Sequence, residues 1–213
     1  MKVWSLGMQL LEQARSLRVL AERYAQSLDL AGEFLQARGI NRAAAVTSLL
    51  GVVTAENAAP EHEAYVGRLS IPYLTPAGVA QLRFRSLAGQ EPKYLGVPGQ
   101  SPTMFQVEAL SAPGETIVIT EGELDALVLY RECGIPAVGI PGAQVYQDHW
   151  WRAFNDFPRV VVMTDSDQAG KDLANKLASS IQQSKVVHLP DGMDVNDFYL
   201  AHGVDAIREK VLV

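Results

Sequence analysis

A chain of 213 residues with 48% hydrophobic and 20% charged side chains has the makeup of an ordinary soluble globular protein, long enough for one large domain or two small ones. No apolar run approaches the roughly 20 residues of a membrane helix, and Met1-Lys2-Val3-Trp4 does not open a secretion signal. Cys133 is the sole cysteine, which excludes an internal disulfide, points to a reducing cytoplasm and, with only four scattered histidines, excludes a zinc ribbon.

In chain order, the first fifty residues read as helices. Leu10, Leu11, Ala14, Leu17, Val19, Leu20 and Tyr24 recur at near-helical spacing among Glu12, Arg15, Arg18 and Arg23. A second helix is expected from about Leu30 to Arg38, stopped by Gly39, and Asn41 is placed to cap a third over Arg42 to Leu50. A polar connection follows over 54–63. The period then changes to two: Leu69, Ile71 and Tyr73 alternate, Thr75-Pro76-Ala77-Gly78 is a turn, and Leu82 and Phe84 alternate with Arg83 and Arg85. This predicts a hairpin with both arginines on one face. The Gly- and Pro-rich stretch 89–103 reads as a loop with a short ordered core at Pro92-Lys93-Tyr94-Leu95.

From Glu115 onward, short branched runs alternate with helical stretches. Ile117-Val118-Ile119, Ala137 to Ile140, Val160 to Met163 and Val186 to Leu189 suit strands buried on both faces. The helices between and after them are expected at Glu123 to Cys133, Gln147 to Asn155, Ala169 to Ile181 and Val195 to Lys210. The pattern predicts an α/β domain with a parallel sheet of about four strands flanked by helices. The expected division is a helical and hairpin subdomain over 1–112 and the parallel domain over 113–213.

Charge is unevenly spread along this order. The net charge is −6, and residues 111–213 carry eight basic against fifteen acidic side chains. That balance disfavours tight, sequence-independent duplex binding by this chain alone.

In a parallel sheet the strand C-termini share one edge, and sites form in the loops there. The first strand is followed by Thr120-Glu121-Gly122-Glu123-Leu124-Asp125, the third by Thr164-Asp165-Ser166-Asp167, and the fourth by Pro190-Asp191-Gly192-Met193-Asp194. Asp165 and Asp167 are two apart, so in extended backbone they point to one side, and a cation would relieve their repulsion. Oxygen-only ligands suit Mg²⁺ or Mn²⁺, which can bridge phosphate oxygens. A plainer role stands beside each acid: Asp167 or Ser166 as a helix cap, Asp125 as a first-turn acid, Asp191 and Asp197 as turn and cap residues. Glu121, at a strand end before a glycine, has no capping role. Among the rest, His188 reads as a packed strand residue, Cys133 as a small buried one, and Trp150-Trp151 with Phe154 as anchors of a helix on the sheet. Arg83, Arg85 and Lys93 read as surface charges or as phosphate contacts.

Glu121-Gly122-x-x-Asp125 after a strand, followed by Asp165-x-Asp167-x-Ala169-Gly170 after a later one, resembles the Toprim domain of primases, topoisomerases and certain nucleases. Upstream, Ala31 to Ile40, the stretch Leu69 to Arg85 and Pro92 to Leu95 resemble in order the catalytic core of a DnaG-type primase. The resemblance spans about residues 29–200. It implies that Glu121, Asp165 and Asp167, with Asp191 or Asp194, hold the metal, and that Arg83, Arg85 and Lys93 contact triphosphate or template. It further implies primer RNA synthesis from nucleoside triphosphates on single-stranded DNA, in a bacterial or phage-infected cytoplasm. No zinc-binding or helicase region is recognised, so a replicative helicase or zinc-bearing partner is expected. A Toprim nuclease and a non-catalytic replisome protein derived from a primase are the alternatives.

Overall fold

The computed structural model describes residues 2–212, with side chains from Gly7 to Leu212; the side chains of Met1-Lys2-Val3-Trp4, read above for a secretion signal, lie outside the described residues. The chain divides into two compact units, Met1–Ala37 with Asn41–Ser101, and Arg38–Ile40 with Pro102–Val213.

In the first unit a long helix α1 (Lys2–Ala25) is followed by a 3₁₀ turn at Leu28–Ala31, then by short helices α2 (Gly32–Gln36) and α3 (Arg42–Thr47). The single helix expected from Leu30 to Arg38 is thus split. Asn41 caps α3 as its side chain predicts, Oδ1 accepting from the Ala44 N–H at 2.9 Å. The hairpin strands β2 (Arg68–Thr75) and β3 (Gly78–Ser86) are extended by β1 (Gly51–Val52) and β4 (Tyr94–Gly96) into a four-stranded antiparallel sheet of order β1-β2-β3-β4. Leu17, Ala21 and Tyr24 of α1 cover Val79, Leu82 and Phe84 of β3. Gly51 permits the close approach of helix and sheet, since a Cβ there would lie 2.2 Å from the Tyr24 carbonyl carbon.

The second unit holds the parallel sheet, order β6-β5-β7-β8, from β5 (Thr116–Thr120), β6 (Ala137–Gly139), β7 (Arg159–Met163) and β8 (Ser184–Val186). The branched runs of β5 and β7 are buried on both faces, with Ile117, Val118, Ile119, Val160 and Val162 fully inaccessible. Between the strands run α4 (Glu123–Leu127), continued by a π-helical turn over Val128–Glu132, and α5 (Gln168–Ser180), while α6 (Val195–Leu212) closes the chain and is broken at Gly203.

Further expectations need correction. The second unit takes in Pro102 to Ala112, upstream of the expected boundary, because Phe105 bridges to Gly139 and the buried Gln106 side chain donates to the carbonyls of Ala126 and Ala137, both at 2.8 Å. The segment Asp148–Phe154 is a 3₁₀ helix instead of an α-helix; Trp150 and Phe154 pack inward, but Trp151 is exposed. The fourth strand begins two residues before its apolar run. As an edge strand it is not buried on both faces, and its last ladder bond is from the Val187 N–H to the Val162 carbonyl. His188 therefore lies beyond the strand and is exposed, not packed within it.

Candidate metal-binding edge and basic cluster

Register places the first acids. Thr120 of β5 pairs with Met163 of β7, so Glu121 and Thr164 leave the sheet at one level and Asp165 follows a residue later. The turn after β5 is held by the buried Thr120 hydroxyl, which donates to the Gly122 carbonyl at 2.9 Å. Glu121 is half-buried at this turn, with Oε2 out of reach of solvent. Glycine at 122 leaves room for the Asp125 carboxylate, whose Oδ2 a Cβ would approach to 2.2 Å. Asp125 is thereby folded back on the turn, buried, and its Oδ1 accepts from the Asn196 N–H at 3.3 Å. Its place is structural: it ties the start of α4 to the start of α6.

Asp165 and Asp167 are both exposed beyond β7. Asp167 is the N-cap of α5, Oδ1 accepting from the Gly170 N–H at 2.8 Å, so the plainer role is realised. A cap leaves the other carboxylate oxygen and further lone pairs for other partners. Gly170 is the more constrained of the two, since its Cβ would lie 2.1 Å from the Asp165 carbonyl oxygen, a backbone atom. The glycines of both motifs thus let the acid-bearing turns pack closely. In the loop after β8, Asp191 is exposed beside Gly192, which has φ +81°. Asp194 is half-buried; its Oδ2 accepts from Arg38 Nη1 at 3.0 Å and its Oδ1 from the Asp197 N–H at 2.8 Å. Among the described residues no three Asp, Glu, His or Cys side chains gather into a ready-made metal cage.

The first unit holds the other expected residues. Arg85 lies opposite Tyr94 and Arg83 opposite Gly96 in the β3–β4 ladder. The Arg83, Arg85 and Lys93 cations all approach the Tyr94 ring, at 4.8, 5.1 and 6.0 Å from its centroid. Lys93 is exposed and Arg83 half-buried, but Arg85 is only 6% exposed. Its Nη1 donates to the Tyr94 hydroxyl at 2.5 Å, and its guanidinium lies over the Phe34 ring at 5.1 Å. The reading of Arg85 as a surface charge is corrected: alternation assigned its face, but the covering residue, Phe34, is 51 positions away.

Sequence reasoning assigned no role to Arg38, Asn196 or Tyr94. Arg38 and Tyr94 stand in stretches that carry the primase resemblance, which was the available signal; nothing in the spacing of Asn196 marks it.

A parallel sheet with carboxylates after β5 and β7 and a glycine in each turn has the makeup of a Toprim domain, and the Toprim-like family matches residues 118–199. The gene 57 protein of Mycobacterium phage D29 is 35% identical over 152 residues, covering 69% of this chain and 99% of the relative. The DNA primase of Pseudomonas aeruginosa is 25% identical over 143 residues, which are 60% of this chain but 21% of the relative. The solved structure of the DnaG primase catalytic domain bound to single-stranded DNA superposes with a TM-score of 0.76 at 21% identity, over 98% of this chain and 82% of that one. The chain belongs to the family of the phage gene 57 protein, carries a Toprim-like domain and has the fold of the DnaG primase catalytic core. That family and fold imply use of a divalent metal. The residues present fit one: an open, oxygen-only set suits an ion that keeps several waters and takes one or two carboxylates together with substrate phosphates.

Proposed function

We propose that this chain is the RNA-polymerase core of a primase, making short RNA primers from nucleoside triphosphates on single-stranded DNA. The observation that carries the reading is the adjacency of Glu121 and the Asp165/Asp167 turn at the C-terminal ends of neighbouring parallel strands. Glu121, Asp165 and Asp167, with Asp191 or Asp194, would hold Mg²⁺ or Mn²⁺. The ion, when bound, supplies positive charge to the phosphate oxygens as the transferred nucleotide's charge shifts.

The remaining work falls to side chains. Glu121, half-buried at the turn that the Thr120 hydroxyl holds, presents an acceptor. Asp167 is oriented by its capping bond, so it meets a cation without first losing rotamer freedom. Arg83 and Lys93 contact triphosphate or template phosphates. Arg85, drawn under Tyr94, orders that ring between them and takes a supporting place instead of the direct contact expected. The DNA of the structural neighbour supports a single-stranded template for this chain too. A replicative helicase or zinc-bearing partner would supply template selection, in the cytoplasm of the bacterial or infected cell. The acidic second unit, alone, would repel a polyphosphate unless ions are present.

The test incubates the chain with single-stranded DNA, labelled nucleoside triphosphates and Mg²⁺ or Mn²⁺. Short RNA is expected, and Asp165→Asn and Asp167→Asn should each abolish it while the protein stays folded, asparagine being as good a cap as aspartate. Strand cleavage without synthesis would replace this reading with a nuclease; full synthesis by both variants at limiting metal would remove the metal assignment.

A further inference from the structure

The loop from β8 to α6 carries Asp191 and Asp194 and is mostly exposed between Pro190 and Gly192. One end of it is anchored by residues 156 positions away. Arg38, Gly39 and Ile40 belong to the second unit although their neighbours on both sides belong to the first. Ile40 is buried, and Gly39, at φ +71°, presses on Tyr199 so closely that a Cβ would lie 2.7 Å from its ring. The Arg38 carbonyl accepts from Asn196 Nδ2 at 2.6 Å, while the Asn196 N–H reaches Asp125 Oδ1. Arg38 Nη1 meets Asp194 Oδ2 at 3.0 Å, with about 30% of the arginine side chain and 26% of the aspartate exposed.

We propose that Arg38 is a positioning residue for metal binding, holding the Asp194 carboxylate in a fixed orientation at the acidic edge. This deepens the metal reading above and rests on it. Each Asp194 oxygen accepts one hydrogen bond, from Arg38 or from the Asp197 N–H, and keeps a lone pair for a cation. A charge-assisted bond fixes direction more firmly than a neutral one. Partners behind a metal ligand commonly set affinity by about 10–100-fold. Arg38 reaches the edge through Asp194, and the backbone bonds of Arg38 and Asn196 keep the arginine itself in place.

The test measures Mn²⁺ binding to the full chain by the electron-paramagnetic signal of the free ion, with no nucleotide and no turnover. Arg38→Met keeps the apolar stem and the carbonyl bond but removes charge and donors. Its half-saturating Mn²⁺ concentration should rise about tenfold or more. Arg38→Lys should recover most of the loss, since a single donor makes the contact. The Arg38→Met, Asp194→Asn double variant should bind no worse than Asp194→Asn alone. If Arg38→Met fails to fold, Arg38→Lys and Arg38→Gln are compared, and lysine should lie closer to the unaltered protein. Unchanged or tighter binding in Arg38→Met, equal effects of lysine and glutamine, or full additivity with Asp194→Asn would each overturn the proposal. Absence of Mn²⁺ binding by the unaltered chain would instead overturn the metal reading, and this inference with it.

Discussion

Replacing Arg85 by alanine should destabilise the first unit. The side chain gives a buried charge-assisted hydrogen bond to the Tyr94 hydroxyl and lies over two aromatic rings. A hydrogen bond to a charged group contributes about 1.5–3 kcal/mol, and a desolvated cation–π contact adds about 0.5–2 kcal/mol. Truncation should therefore cost about 2–4 kcal/mol, part of the sum being relieved as water enters the space. For a protein of this length each kcal/mol shifts the melting temperature by about 2–4 °C, so a fall of roughly 5–15 °C is expected. Thermal melting by circular dichroism, with a urea titration for the free energy, measures it. Arg85→Lys should fall between, because an ammonium keeps the charge but loses the planar fork. A melting point within 1 °C of the unaltered protein, on the order of 0.3 kcal/mol by the same conversion, would show that the buried contacts contribute nothing and return Arg85 to the surface-charge reading.

Other expectations follow from particular contacts. Gly170→Ala would put a Cβ 2.1 Å from the Asp165 carbonyl oxygen, and since the obstacle is backbone, the variant should lose about 2 kcal/mol or more in urea titration and lose metal-dependent activity too. His62 is buried against the Tyr24 hydroxyl at 2.7 Å, and burial pulls its pKa down from the usual 6.5 despite Glu61. The unfolded chain then takes up a proton first, so stability should be full above about pH 6.5 and fall as the pH drops below it, at no more than about 1.4 kcal/mol per pH unit from this residue. His62→Gln, though less stable, should flatten that slope, and an unchanged slope would assign it elsewhere. Burial, aided by Glu132, pushes the Cys133 thiol up to about 11, so a disulfide reagent at pH 8 should leave it intact in the native protein and titrate it only in denaturant.

The parallel sheet was legible because strands buried on both faces must be continuously apolar, and the β5 and β7 runs are. The edge strand β8 was misplaced for the same reason: with one side open, its first residues are Ser184 and Lys185, which carry no apolar signal. At the acidic edge, Asp165 and Asp167 were found from strand-end placement and spacing, but spacing does not distinguish a cap from a ligand, and Asp167 is a cap in the fold. Arg85 shows the limit of alternation, which assigns a face without saying what will cover it. The Arg38–Asp194 pair lay outside local patterns altogether, because the partners are 156 residues apart and become neighbours only through the fold.

The placement of Arg38–Ile40 within the second unit makes the protein hard to divide. A fragment starting at Pro102 would contain every parallel strand, yet it would lack Ile40 from its core and the Arg38 carbonyl that Asn196 grips. The complementary fragment ending at Ser101 would carry those three residues with nothing to bury them. Neither half is a cassette that one cut can release. An exchange of the parallel-sheet half between relatives would have to carry the Arg38-Gly39-Ile40 segment with it, which ties the inheritance of the acidic edge to a short stretch lying upstream of the whole antiparallel sheet.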